Sequence, residues 1–196
     1  MVNLNISRFF RRGRSFRELR ESEEFKIMHL SDTPDNVYPF ILNLIEKTHP
    51  DVIIHTGDLV DNVKLERKPE LRGKYEASLV RILSILENSG AEVFIVPGNE
   101  DDEGLIRVHA ERAVVVKPGT VIELEGVKLA LGHSSADVEN VDATFRLYGH
   151  NFKVIPRGLN GVLNVNFILL PSRRIVRIKY PDGTNFERGY KLMRGL

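Results

Sequence analysis

Five polar residues stand at the same kind of place along this chain. Asp32 follows the apolar run Lys26–Leu30, and Asp58 follows Val52–His55. Asn99 follows Val93–Val96, His133 follows Lys128–Leu131, and His150 follows Arg146–Tyr148. Runs of this length and composition read as strands. A polar group just past the carboxyl end of a strand lies on the edge where α/β sheets bind ligands. Gly57, Gly98, Gly132 and Gly149 each precede one of these residues, and a glycine lets the backbone pass close to a bound group. Two carboxylates, an amide and two imidazoles together suit a borderline or hard divalent ion such as Zn, Mn, Fe or Co. Singly, each has an ordinary explanation. An Asp or Asn after a strand is usually a turn residue or a helix cap, and a lone histidine is usually a satisfied buried side chain. The joint placement of all five carries the metal reading.

The elements that must position them come in two styles. From Phe25 to Glu111 strands and helices alternate: strand Phe25–Leu30, helix Val37–Lys47, strand Asp51–Thr56, a charged loop Asn62–Lys74, and helix Tyr75–Glu87 with Gly90 just past its end. Strand Glu92–Val96 and a short helix near Asp101–Glu111 complete a βαβαβα pattern, the signature of a largely parallel sheet. After Ala113 short β-like segments follow one another at Val114–Val116, Val121–Leu124, Lys128–Leu131, Thr144–Tyr148, Val162–Phe167 and Ile175–Tyr180. Turn sequences such as Pro-Gly, Leu-Asn-Gly and Pro-Asp-Gly separate them. This half is expected to be mostly antiparallel sheet, with a helical turn at Ala136–Val141.

Composition narrows the chemistry. The chain has 196 residues, 42% of them hydrophobic, enough to bury a core. It has no cysteine, which excludes disulfide frameworks, thiol nucleophiles and iron–sulfur clusters. No apolar run approaches the roughly 18 residues that a membrane span needs. The N-terminus shows no export signal, so a cytoplasmic location is expected. The net charge of +1 hides a split: setting aside the six arginines and single glutamate of residues 1–20 leaves −4. Two parts are therefore expected, a basic arm over 1–24 and one domain over 25–196. The arm is read as a strap that docks through Phe9, Phe10, Phe16 and Leu19. An acidic body argues against a nucleic-acid partner for it.

The strings His29-Leu30-Ser31-Asp32-Thr33, Gly57-Asp58-Leu59-Val60-Asp61, Gly98-Asn99-Glu100-Asp101, Gly132-His133 and Gly149-His150 resemble the calcineurin-like metallophosphoesterase family from about Phe25 to Pro171. The resemblance implies an α/β fold, a two-sheet sandwich flanked by helices (α/β/β/α). It implies two divalent metals bridged by Asp58, and attack of a metal-bound hydroxide on a phosphate mono- or diester. Asp58, Asn99, His133 and His150 match the ligands of the second metal, and Asp32 matches the aspartate of the first. The implied catalytic set is Asp32, Asp58, Asn99, Glu100 and His150, with Mn, Ni, Co, Zn or Fe as the ion.

Three departures from the family pattern shape the expectation. The family's Asp-x-His is here Asp32-Thr33-Pro34, and its Gly-His-x-His is Gly149-His150-Asn151-Phe152. Both imidazoles of the first metal are absent, and neither Pro34 nor Phe152 offers a side-chain lone pair. One ion is therefore expected to be held better than the second, with weak catalysis. Where many members have a proton-donating histidine, this chain has Glu100, a candidate general acid if burial raises its pKa and otherwise a solvent-facing helix-start residue. His29 and His55, inside strands, are read as core histidines or as supports just behind the site. Lys64, Arg67, Lys68, Arg72 and Lys74 form either a phosphate-collecting loop or a solvated charged one. The alternative function is a binding scaffold on the same fold, recognising a protein partner.

Overall fold

The computed structural model describes residues 16–189. Its strands are β1 (Phe25–Leu30), β2 (Val52–His55), β3 (Glu92–Ile95), β4 (Val114–Val115) and β5 (Thr120–Leu124). The remaining ones are β6 (Val127–Leu131), β7 (Phe145–Tyr148), β8 (Gly158–Asn160), β9 (Val165–Leu170) and β10 (Arg174–Ile178). The helices are α1 (Tyr38–Thr48), α2 (Arg72–Glu87), α3 (Glu103–His109) and the single turn α4 (Thr184–Glu187).

Two sheets result. The first has the order β10-β9-β1-β2-β3-β4, with β1 to β4 parallel and β9 and β10 joined antiparallel at one side. The second has the order β5-β6-β7-β8. Its β5 and β6 form an antiparallel hairpin, but β6, β7 and β8 are parallel. Antiparallel pairing thus predominates in the second half, at β5–β6, β9–β10 and β9–β1, but β6, β7 and β8 depart from the antiparallel pattern that its turn-rich sequence suggests. The stretch between β6 and β7 is long enough for a crossover, and it includes a 3-10 turn at Ser135–Asp137. β8 occupies residues that read as a turn, because Leu147 and Tyr148 pair with Leu159 and Asn160.

The period-two alternation of side chains divides the core. Ile27, Ile54 and Phe94 of the first sheet meet Leu129, Leu131, Leu147 and Leu159 of the second in the space between the sheets. Met28, Leu30, Ile53, Val93 and Ile95 face the other way, onto Ile41, Leu44 and Ile45 of α1 and Leu79, Ile82 and Leu86 of α2. Their spacing along each helix makes one apolar stripe. The outer side of the second sheet is covered by Val138, Ala143 and Ile155 from the connections around β7. Ahead of β1, residues 16–21 are helical. Leu19 is fully buried in the main core with Phe16 packed beside it, and Glu18 and Glu24 pair with Arg174. Phe9 and Phe10, the other apolar residues of the arm, lie outside the described residues. Among the described residues no helix is long and apolar enough to cross a membrane.

His29 and His55 are completely buried, and their partners fix them as neutral. Asn166 Nδ2 donates to His29 Nδ1 at 3.3 Å, so Nε2 carries the hydrogen toward Thr56 Oγ1 at 3.0 Å. The Gly57 amide donates to His55 Nδ1 at 3.2 Å, so Nε2 faces Thr33 Oγ1 at 2.9 Å as the donor. Burial pushes both imidazoles down to about 3. An unfolded imidazole titrates near ~6.5, so as pH falls below that value the unfolded chain takes up protons that the fold refuses. The stability tied to these rings is fully present above about pH 6.5 and is lost as pH falls toward the folded value. Between pH 7 and pH 5 the wild type should lose about 2 kcal/mol more than His29→Asn. Urea unfolding of both proteins at both pH values measures this, and identical pH dependence would show that His29 takes a proton within the fold.

Candidate metal centre

Parallel pairing puts the carboxyl ends of β1, β2 and β3 on one edge of the first sheet, and those of β6 and β7 on one edge of the second. The residues just past these ends meet. Ligand atoms of Asp58, His133 and His150 all lie within 4.8 Å of one another. His133 Nε2 is 3.0 Å from Asn99 Oδ1, 3.1 Å from His150 Nδ1 and 3.6 Å from Asp58 Oδ2. Had β7 run antiparallel to β6, His133 and His150 would lie at opposite ends of the sheet.

The surroundings orient these atoms. His133 Nδ1 lies 2.8 Å from the Thr56 carbonyl. A carbonyl only accepts, so Nδ1 carries the hydrogen and the Nε2 lone pair points into the cluster. Asn99 Nδ2 donates to Glu66 Oε2 at 3.0 Å, leaving Oδ1 turned inward. The Glu100 amide holds Asp58 Oδ1 at 3.0 Å while Oδ2 faces His133. Atoms each about 2.1 Å from one ion lie roughly 3.0–3.4 Å apart in octahedral or tetrahedral arrangements. The spacing and the two-nitrogen, two-oxygen donor set both fit a borderline divalent ion.

Asp32 completes the group from the other side. Its Oδ2 accepts from Ser31 Oγ at 2.6 Å and from the His150 amide at 3.0 Å. Asp32, Asp58 and Asp61 bring carboxylate oxygens within 4.8 Å of one another, and none is more than 3% exposed. Burial, and then the neighbouring Asp32 carboxylate, push Asp58 well above the usual carboxylate range. The same two causes push Asp61 up to about 7 against the pull of Lys64, whose ammonium pairs with it. A cation among these groups would offset that cost.

The chain passes through tight corners here. Asp32, Asp58 and His150 have φ of 52°, 54° and 68°, in the left-handed region that few non-glycine residues adopt. Strain of this kind persists where the surroundings enforce it. Gly98 and Gly149 are needed for space rather than for φ. A Cβ at Gly98 would lie 2.2 Å from Asp58 Oδ1, and one at Gly149 would lie 2.3 Å from Asp32 Oδ2.

The two positions where the family carries its first-metal histidines supply no ligand here. Pro34 is buried at the start of a 3-10 turn, and Phe152 is 44% exposed. Glu100 is 5% exposed rather than solvent-facing, and its Oε2 accepts from the Glu66 amide at 3.0 Å. In the charged loop, Lys64 reaches Asp61, Arg72 pairs with Asp102 at 2.7 Å, and Arg67 and Lys68 are exposed.

Sequence reading singles out neither Asp101 nor Arg188. The Asp101 carboxylate accepts from the amides of Asp58, Leu59 and Gly98 at 2.7, 2.9 and 2.8 Å, and from Tyr75 OH at 2.9 Å. It ties the loops after β2 and β3 together. Hence α3 begins after it, with Asp102 Oδ1 capping the helix by accepting from Leu105 N at 3.0 Å. Arg188, 2% exposed, donates to the carbonyls of Asp32 at 2.6 Å, Ser31 at 3.2 Å and Val162 at 2.8 Å. Its guanidinium stacks 4.4 Å above the Tyr180 ring. The adjacency of Asp101 to Asn99 is the available signal for the first, and nothing local marks the second.

The sequence matches the calcineurin-like phosphoesterase family over residues 25–177. One solved crystal structure resembles the fold with a TM-score of 0.57 at 11% identity, covering 81% of this chain and 100% of that one. The protein of unknown function AQ665 from Aquifex aeolicus is 16% identical, with 69% of this chain and 89% of that one covered and a TM-score of 0.45. TT1561 of Thermus thermophilus is 11% identical, with 80% and 99% covered and a TM-score of 0.48. No curated protein matches the chain. The family match begins at the first residue of β1 and ends within β10, spanning both sheets and every strand end described above, and the chain therefore belongs to the calcineurin-like phosphoesterase family.

Proposed function

We propose that the chain hydrolyses a phosphate mono- or diester with one well-held divalent ion, bound by Asp58, Asn99, His133 and His150. The observation that carries this is the convergence of Asp58 Oδ2, Asn99 Oδ1, His133 Nε2 and His150 Nδ1, with the Thr56 carbonyl fixing which His133 nitrogen faces inward. A borderline ion such as Mn, Ni, Co, Zn or Fe suits the set. When bound, such an ion polarises a phosphoryl oxygen and makes water a nucleophile near neutral pH. Asp32 is the proposed carboxylate for orienting that water, held by Ser31 and the His150 amide. Glu100, buried beside Asp58, is the proposed proton donor to the leaving oxygen.

The domain is proposed to span 25–196, and Arg188, which reaches back to the loop after β1, supports an end beyond residue 177. The test is hydrolysis of nitrophenyl phosphate and bis-nitrophenyl phosphate with Mn, Ni, Co, Zn and Mg in turn. Slow turnover that a chelator abolishes and the ion restores is expected, with a strong reduction in His150→Ala. If no ion supports turnover above that of a heat-denatured control, the scaffold reading replaces the enzyme.

A further inference from the structure

We infer that Lys64 is the built-in cation of the first metal position: its ammonium pairs with Asp61 in the Asp32–Asp58–Asp61 trio, offsets part of the trio's charge and so limits the protein to one ion per chain. The inference rests on the proposed reading that the Asp58–Asn99–His133–His150 set holds an ion.

The acid trio contains no imidazole, because positions 34 and 152 are proline and phenylalanine. What the sequence supplies instead is a third carboxylate. Asp61 brings an oxygen within 4.8 Å of both Asp32 and Asp58 and is 2% exposed. Three carboxylates at this spacing, withdrawn from water, repel one another when ionised, and a cation placed beside them offsets part of that cost. Among the described residues, Arg188 and Lys64 both lie close to Asp61. The Arg188 guanidinium is committed to the main-chain carbonyls of Ser31, Asp32 and Val162, behind the loop rather than among the carboxylate oxygens. The Lys64 ammonium instead pairs with Asp61 Oδ1 directly.

Lys64 is suited to the position. It follows Asp61 by three residues on the loop after β2, and its side chain is 31% exposed, so the ammonium enters from the solvent side while the carboxylate stays inside. An ammonium is a compact point charge with three donors. It can offset part of the trio's charge without the fixed coordination geometry that a metal ion demands. It holds the Asp61 carboxylate that an incoming ion would draw on, so the two compete. A lysine here supplies one positive charge, less than a divalent ion would, without the coordination that a second ion needs.

The test counts ions in the full-length protein. Wild type, Lys64→Gln, Lys64→Arg and Asp61→Asn are each loaded with Mn(II), dialysed and measured by elemental analysis, with the spin signal of bound Mn(II) read in parallel. Wild type and Lys64→Arg should hold one ion per chain and show the signal of an isolated ion. Lys64→Gln should hold two and show a coupled pair. Asp61→Asn frees the ammonium but removes the oxygen, and should stay at one. Circular dichroism checks that each variant is folded, which the partial exposure of Lys64 favours. Two ions in the wild type or in Lys64→Arg, or one in Lys64→Gln, would overturn the inference and leave the phosphoesterase reading standing. No ion in the folded wild type would instead remove the metal reading, and this inference with it.

Discussion

Asp58→Asn should reduce metal-dependent hydrolysis by on the order of a thousandfold, comparable to losing one preorganised electrostatic group from an active site. Asparagine is the informative replacement. It keeps an oxygen for the Glu100 amide, which lies 3.0 Å from Asp58 Oδ1. It also tolerates the left-handed φ of 54° at this position. What it removes is charge, from the one carboxylate that belongs to both the His133–His150 cluster and the acid trio. Stability should move the opposite way. Burial raises the Asp58 pKa in the fold, while the unfolded carboxyl ionises near ~4. The folded state therefore bears a growing penalty as pH rises above that value. Without added ion, Asp58→Asn should be more stable than wild type at pH 8, and the gain should shrink toward pH 4. Loss of turnover joined to a pH-dependent gain in stability identifies the carboxylate as a group retained for chemistry. Wild-type turnover in the variant would remove Asp58 from the site.

Arg188→Met should have the largest effect on stability, about 3–5 kcal/mol. The methionine fills similar volume but leaves the carbonyls of Ser31, Asp32 and Val162, now served by one guanidinium, without those donors in a buried place. Arg188→Lys should fall between, since one ammonium cannot span the same fork of acceptors. Urea unfolding gives the difference directly. A shift below about 1 kcal/mol would mean that water or another donor replaces the guanidinium. The family match ends at residue 177, so a fragment cut there keeps both sheets' strand ends and loses the group that fixes the first of them.

The sequence is informative where the physics is local and repetitive. β1, α1, β2, α2 and β3 follow from apolar spacing, and the five polar residues stand out by their position after such runs. Three features are not legible. The parallel pairing of β6, β7 and β8 is a long-range choice that short strands and turn residues do not encode. Asp101 looks like a helix-start residue because its four donors come from three separate segments. Arg188 has no periodic signature at all, since a buried arginine acts through carbonyls more than twenty-five residues away in sequence. Polar residues that organise a site do so through contacts the chain makes only after folding.

The left-handed corners at Asp32, Asp58 and His150 impose an order on how this site can decay. At such corners glycine, asparagine and aspartate fit, and a bulky or branched residue distorts the loop. Pro34 sits in ordinary extended backbone, at φ −68° and ψ 149°, and Phe152 is not among the residues with positive φ. Exchanging an imidazole at 34 or 152 therefore leaves the main-chain path intact, whereas most exchanges at 32, 58 or 150 bend it. Mutation can remove the first metal's imidazoles at little structural expense, while Asp32, Asp58 and His150, which stand at the corners, are guarded by the fold itself. A lineage on this scaffold would pass through a one-sided centre before an empty one.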